Sequence, residues 1–424
     1  MPRLSTRRQT PGTNRPEQGI VSPIRVLFFD HTATLGGGEI ALLNLVKHLD
    51  PVKFKPVVVL ATDGPLAKRL FPDVETHILP LSPRVANIKK DSLGFSTIVR
   101  FRDLLTIFAY IRRLCRFICD CQVDLVHTNS LKADVIGGLA GMISRRPVVW
   151  HVRDRIEDDY LPPIAVRVFR LLCRLIPTYI IANSAATLRT LRLPSLSHSS
   201  AIPSGIVVNR KDSVVHDGTE LAEFVPKGTS NVLKIGLIGR ISPWKGQHIF
   251  LEAAARVHRH FPFARFVIIG AALFGESEYD QKIRELPARL GIEEVVEFAG
   301  FRPDVQDAIA DLNLVVHAST TGEPFGQVII EGMAAAKPIV ATNGGGVTEI
   351  VEDGLTGMLV PMGEAQAMAD AICEILADPE KAKEMGIRGR HRVENHFTVE
   401  LTAAKVEAVY HEILCGRGNH HRSL

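Results

Sequence analysis

Twelve short apolar runs, each of strand length, alternate along this chain with stretches of helical length, and that alternation restricts the fold more than any other feature. The first set covers residues 24–30, 56–61, 76–79, 124–127, 147–152, 178–182 and 199–203. The second covers 232–238, 265–270, 295–299, 312–317 and 338–341. Helices are expected near 39–49, 97–120, 131–144, 162–176 and 184–191 in the first half, and from 247, then near 276–291, 364–376, 379–394 and 398–414 in the second. Strand, helix, strand repeated in this way builds a parallel sheet covered on both faces. Residues 207–231 lack periodicity and are rich in Asp, Lys, Gly, Ser and Thr, so they read as a linker between two α/β units. The expected division is a basic arm at 1–22, a first domain at 23–206, the linker at 207–231, a second domain at 232–395, and a last helix at 396–424 that returns to the first domain.

Composition narrows the class. At 46% hydrophobic and 23% charged, 424 residues make a globular chain with sizeable cores, and no run reaches the ~18 consecutive apolar residues of a membrane span. Six cysteines without a C-x-x-C pair read as reduced thiols of a cytoplasmic protein. Residues 1–230 carry 31 Lys and Arg against 20 Asp and Glu, while the remainder carries 19 against 26. That asymmetry makes the first half the side that faces an anionic partner. No nucleic-acid motif accompanies it.

Ligands of open parallel sheets bind beyond the C-terminal ends of the strands, so the residues of those loops carry the candidate chemistry. After the run 312–317, Glu323 falls on the loop and Gly326, Gln327 and Val328 begin a helix expected to start near Phe325. Unpaired first-turn amides suit a phosphate. Glu331 then falls inside a mostly apolar helix, where an unpartnered carboxylate is costly. The plain alternative is an ordinary loop acid and a solvated helix residue. After 232–238, Arg240 and Lys245 share one Gly/Pro loop and can turn to one point, where they would neutralise a diphosphate. After 24–30, a loop ending in Gly36, Gly37 and Gly38 precedes a helix opened by Glu39. This is either a phosphate-facing loop or a tight turn that needs glycine. It contains neither G-x-G-x-x-G nor a P-loop lysine. His127 and His151 each end a strand, and Arg153 follows His151. Either histidine can equally be a satisfied structural one. Phe301, after 295–299, can flank a base or plug its loop.

Glu323 and Glu331, with seven residues between them and Phe325-Gly326 after the first, resemble the donor-site motif of retaining GT-B glycosyltransferases of family four. The segments Lys337 to Thr342 and Gly344 to Val351 are similar to that family too, over most of residues 24–414. Ala336 departs from it, because the family usually carries glycine there. Ser204 and Val207 depart from it at the segment 202–206. The resemblance, which extends to members of bacterial polysaccharide biosynthesis, implies two Rossmann-like domains with parallel sheets facing across a cleft. It implies a hexosyltransferase that retains configuration and uses a UDP- or GDP-sugar as donor, with no cofactor and no metal. No Asp-x-Asp occurs in the sequence. Implied roles are catalysis for His151, Glu323, Arg240 and Lys245, donor contacts for Gly37, Gly38, Phe301, Gly326, Gln327, Val328 and Glu331, and acceptor or cleft contacts for His127 and Arg153. The implied acceptor is a glycan, a lipid-linked sugar or a small molecule. An epimerase or hydrolase of the same fold, or a non-catalytic nucleotide-sugar-binding protein, shares the donor features. A tandem-Rossmann oxidoreductase lacks its fingerprint here.

Two further stretches mix arginine with apolar residues at helical spacing. They are Arg100, Arg102, Arg112, Arg113 and Arg116 among Phe101, Leu104, Leu105, Ile107, Phe108, Ile111 and Phe117, and Arg167, Arg170 and Arg174 among Val166, Val168, Phe169, Leu171, Leu172 and Leu175. They read either as ordinary amphipathic helices or as a surface for anionic lipid at the inner face of a membrane.

Overall fold

The computed structural model describes residues 22–82, 101–208, 232–272, 275–302 and 304–420. The stretch read as a basic arm and most of the one read as a linker lie outside the described residues, as does Arg100. The first domain runs β1 (Ile24–Asp30), α1 (Gly37–His48), β2 (Phe54–Leu60), α2 (Pro65–Leu70), β3 (Glu75–Ile78), α3 (Phe101–Asp120), β4 (Leu125–Thr128), α4 (Leu131–Ile143), β5 (Val148–Val152), α5 (Pro163–Leu172), β6 (Tyr179–Ala182), α6 (Ala185–Thr190) and β7 (Ser199–Ala201). Its seven strands are parallel in the order β3-β2-β1-β4-β5-β6-β7.

The second domain runs β8 (Leu233–Ile238), α7 (Gln247–His260), β9 (Ala264–Ile269), α8 (Ser277–Leu290), β10 (Val296–Gly300), α9 (Val305–Ala310), β11 (Leu314–His317), α10 (Gln327–Ala334), β12 (Ile339–Thr342), α11 (Val347–Ile350), β13 (Met358–Val360), α12 (Ala365–Ala377) and α13 (Pro379–His396), followed by α14 (Val399–His420). Its six strands are parallel in the order β10-β9-β8-β11-β12-β13. Two Rossmann-like α/β domains result.

The alternation of side chains along each strand decides which helices it meets. On β1, Leu27 and Phe29 pack with Tyr110, Leu114 and Ile118 of α3 and with Ile136 and Ala140 of α4. Val26 and Phe28 point the other way, to Leu42 and Val46 of α1 and to Ala403, Val406 and Tyr410 of α14. The last helix therefore covers one face of the first sheet. The chain passes between domains at Ile206, which pairs with Thr398 on the return path. Gly205 is required there, since a methyl group on it would lie 2.1 Å from the Thr398 carbonyl oxygen.

The helix after β11 starts at Gln327 rather than near Phe325, because Gly326 has φ +119°, outside helical geometry. The helix after β1 starts earlier than Glu39, at Gly37. At the end of α10, Ala336 sits at φ +53°, the left-handed conformation that glycine adopts without strain.

Candidate active site

The centre of the second domain's edge is the Glu323 carboxylate. Its Oε2 accepts hydrogen bonds from Lys245 Nζ at 2.8 Å and Ser319 Oγ at 2.9 Å, and His317 Nε2 stands 3.2 Å away. Burial works to raise this carboxyl. The positive charge of Lys245 and the bond from His317 outweigh burial and hold it far below the usual carboxylate range. Glu323 is therefore an anion in a nearly closed site, 9% exposed. Lys245 closes a short 3-10 turn, Pro243–Lys245, after β8, and its ammonium lies 4.3 Å from the centroid of the Trp244 ring. Arg240 and Lys245, expected to turn to one point, have different partners. The structure places Lys245 on Glu323 and the Arg240 guanidinium 3.7 Å from Glu276.

Behind Glu323, α10 presents its first turn, where the amides of Gln327 and Val328 have no helical carbonyl to meet. The Nε2 of Gln327 is buried beside them, and this side chain draws the Glu331 carboxyl down less than burial raises it. Burial pushes the Glu331 carboxyl, in the same helix, up to about 7. Phe301 is 58% exposed on the loop after β10, which excludes the loop-plug reading.

The first domain brings its glycine loop to the same place. A methyl group on Gly37 would lie 4.0 Å from Gln327 Cβ, and one on Gly38 would lie 3.3 Å from Arg153 Cδ. Arg153 is held by three partners: Nε donates to Asn129 Oδ1 at 2.7 Å, and its terminal nitrogens reach Ser204 Oγ at 2.6 Å and His151 Nδ1 at 3.3 Å. Burial brings its guanidinium down to about 10, so it stays charged near neutrality. Asn129 in turn donates to Asp30 Oδ2 at 2.7 Å and to the Gly38 carbonyl at 3.1 Å.

The two histidines do not emerge at the cleft. Both are fully buried. His127 Nε2 lies 3.2 Å from His151 Nδ1, and the Tyr410 hydroxyl of α14 lies 2.7 Å from His127 Nδ1. Burial lowers both, His127 to about 3, so the pair is neutral at physiological pH. The reason is the two-residue period of β5. His151 shares the α14 side with Val149, and Arg153, beyond the strand end, carries the side chain that reaches the glycine loop. His317, Ser319 and Glu39 are site residues that the sequence reading passed over. His317 ends a strand on the binding edge, the signal that singled out His127 and His151. Burial and the charge of Asp30 push the Glu39 carboxyl up to about 8.

Two family models divide the chain: residues 35–210 match Glycosyltransferase Family 4, and residues 223–392 match Glycosyl transferases group 1. The D-inositol 3-phosphate glycosyltransferase of Streptomyces bingchenggensis is 31% identical over 416 residues, covering 91% of this chain and 86% of that protein. The chain belongs to the family-four glycosyltransferases. This glycosyltransferase also resembles a solved structure, that of Anabaena Alr3699/HepE in complex with UDP-glucose. The TM-score is 0.76 at 28% identity, over 92% of this chain and all of that one, and the match places the fold in the GT-B class. The capsular polysaccharide biosynthesis glycosyltransferase CapM of Staphylococcus aureus is 25% identical, with 84% of this chain and 90% of that protein aligned. Two further D-inositol 3-phosphate glycosyltransferases, each 32% identical, align over only about half of their own length, 50% and 44%.

Proposed function

We propose that this glycosyltransferase moves a hexose from a UDP- or GDP-linked donor to a glycan or lipid-linked acceptor, with retention of configuration and without a metal ion. The observation that carries the reading is the Lys245–Glu323 pair set before the first turn of α10, with Glu331 buried in the same helix. HepE, 28% identical, holds UDP-glucose, which supports a nucleotide-sugar donor. Arg240, Lys245 and the Gln327 and Val328 amides balance the diphosphate charge as the anomeric C–O bond breaks. Glu331 accepts hydrogen bonds from ribose hydroxyls, and Glu323 faces the positive charge that develops on the sugar. The acceptor oxygen bonds to the anomeric carbon on the face the diphosphate leaves, and its proton passes to a diphosphate oxygen. Arg153, held by Asn129 and His151, orients the reactants from the first domain.

The acceptor side also bears on location. No helix among the described residues is long and apolar enough to cross a membrane. On α3, Leu104, Leu105 and Phe108 are exposed at one face, with Arg112 and Arg116 continuing it. On α5 and just past its end, Arg167, Val168, Leu171, Arg174 and Leu175 form a second exposed row. Arg170 does not belong to that row, since it donates to the Ile156 and Thr190 carbonyls. Rows of apolar residues flanked by arginine fit an anionic lipid surface, and they support the reading of a peripheral enzyme at the cytoplasmic face of a membrane.

A thermal-shift screen of nucleoside diphosphates and their sugars tests the donor reading. Ligand at ~100 times Kd adds about 2.7 kcal/mol of stability, a rise of several degrees. One base is expected to raise the melting temperature, and Arg240→Ala to remove the rise. No shift with any nucleotide contradicts the reading.

A further inference from the structure

The two carbonyls that flank Glu323 are held by the opposite domain. The Gly322 carbonyl accepts from Arg155 at 3.1 Å, and the Pro324 carbonyl accepts from Ser184 Oγ at 2.6 Å and Thr187 Oγ1 at 3.0 Å. Ser184 and Thr187, both fully buried, belong to the start of α6, and Arg155 follows β5. The second domain answers in kind. The Glu349 carboxylate of α11 accepts from the Ala185 and Ala186 amides, at 2.9 and 2.7 Å, in that same first turn of α6.

Within the second domain these groups form one plate. Glu323 pairs with Gly345, and the Gly346 amide donates to the Glu323 carbonyl at 2.8 Å. Gly345 is at φ +65°, and a methyl group on it would lie 2.0 Å from the Glu323 carbonyl oxygen, so nothing larger than glycine fits. The plate thus ties Glu349, through three residues, to the catalytic carboxylate. A buried carbonyl needs a donor. For Pro324 both donors come from the other domain, so parting the domains removes them together.

We infer that Arg155, Ser184, Thr187 and Glu349 are positioning residues, by which the first domain sets the backbone of Glu323 only when the two domains are closed. None of them touches the reacting atoms. Donor binding draws chiefly on the second domain, whereas turnover needs both domains closed. A donor held in the open form is then spared hydrolysis, because the carboxylate that stabilises the sugar cation is not yet in place. The inference rests on the proposed role of Glu323 at the sugar.

The test uses the full chain carrying Thr187→Val, which keeps shape and loses the donor, and Thr187→Ser, which keeps the hydroxyl. Hydrogen exchange needs no substrate. The Gly346 amide is expected to exchange at least about tenfold faster in Thr187→Val, with Thr187→Ser like the wild type and β8 unchanged in all three. With a donor that the wild type turns over, Thr187→Val is expected to keep nucleotide Kd within about twofold while kcat falls about tenfold or more, and Thr187→Ser to restore kcat. Wild-type exchange and kcat in Thr187→Val overturn the inference. A parallel loss of kcat, nucleotide binding and melting temperature also overturns it, since that is plain structural damage. If the wild type turned over no nucleotide-sugar, the sugar-transfer reading would fail, and the exchange arm would still decide the clamp.

Discussion

Lys245 Nζ lies 2.8 Å from Glu323 Oε2, and the pair joins the loop after β8 to the loop after β11. Both side chains are mostly withdrawn from water, 17% and 11% exposed. Removing one partner of such a pair leaves a charge without compensation, at a cost of about 3 kcal/mol. Lys245→Met is expected to lower stability by about that amount near neutral pH. The Glu323 carboxyl is held below its unfolded value, so its contribution is present above the ordinary Glu pKa of about 4.3 and fades as pH falls toward its folded value. Urea melts at pH 7 and pH 3 check this. The difference between wild type and Lys245→Met should shrink at pH 3. An equal difference at both pH values would show that packing, not charge, is at stake.

Glu331 gives a second pH signature. Its folded carboxyl is up at about 7, so the stability linked to its neutral form is present below about 4.3 and is lost as pH rises through 7. A hydrogen bond from ribose hydroxyls favours the charged form, so nucleotide binding should release part of a proton near pH 7. Calorimetric titration of UDP or GDP in two buffers of different ionisation enthalpy measures that proton. Release is expected from the wild type and not from Glu331→Gln, whose affinity should fall by about 1.5–3 kcal/mol. Equal proton release in both would place the titrating group elsewhere.

The central strands were legible in the sequence because each is an apolar run bounded by polar residues, whereas the edge strands Glu75–Ile78 and Ser199–Ala201 are largely polar. The misses have separate causes. Met358–Val360 is only three residues long, and α2, α9 and α11 have six, six and four, less than two helical turns; α6, equally short, was legible only as part of the longer stretch 184–191. The candidate residues around Glu323 were legible because most lie close in sequence, on the loop after β11 and the start of α10, and Lys245 meets them because β8 and β11 are neighbours in the sheet. The burial of His127 and His151 was not, because it depends on Tyr410 arriving from the far end of the chain. Nor was the contact of Ser184 with Pro324, 140 residues apart, which exists only once two domains meet.

Ala336 offers a stability test free of function. It occupies φ +53° after α10, and its carbonyl approaches Gly386 so closely that a methyl group there would lie 2.0 Å away. Ala336→Gly is expected to stabilise the protein by about 1 kcal/mol by relieving the left-handed strain. Denaturant melts with an unchanged m-value check it. A destabilised Ala336→Gly variant would mean that the added freedom of the unfolded chain outweighs the strain.

The membrane face is tested with vesicles. Binding to phosphatidylglycerol vesicles is expected at low salt, with loss at high salt and weakening in Arg167→Glu/Arg174→Glu. Arg170→Glu should act instead on folding, since Arg170 is tied to the Ile156 and Thr190 carbonyls. Equal binding to neutral vesicles would contradict an electrostatic surface.

The central claim is metal-independent transfer with retention at the Lys245–Glu323 site. Proton NMR of the first sugar product, formed from an α-linked nucleotide-sugar in excess EDTA, tests it most directly. The account predicts undiminished turnover and an α-configured product, with both lost in Glu323→Gln. A β-configured first product, or activity abolished by EDTA and restored by Mn²⁺, would contradict it.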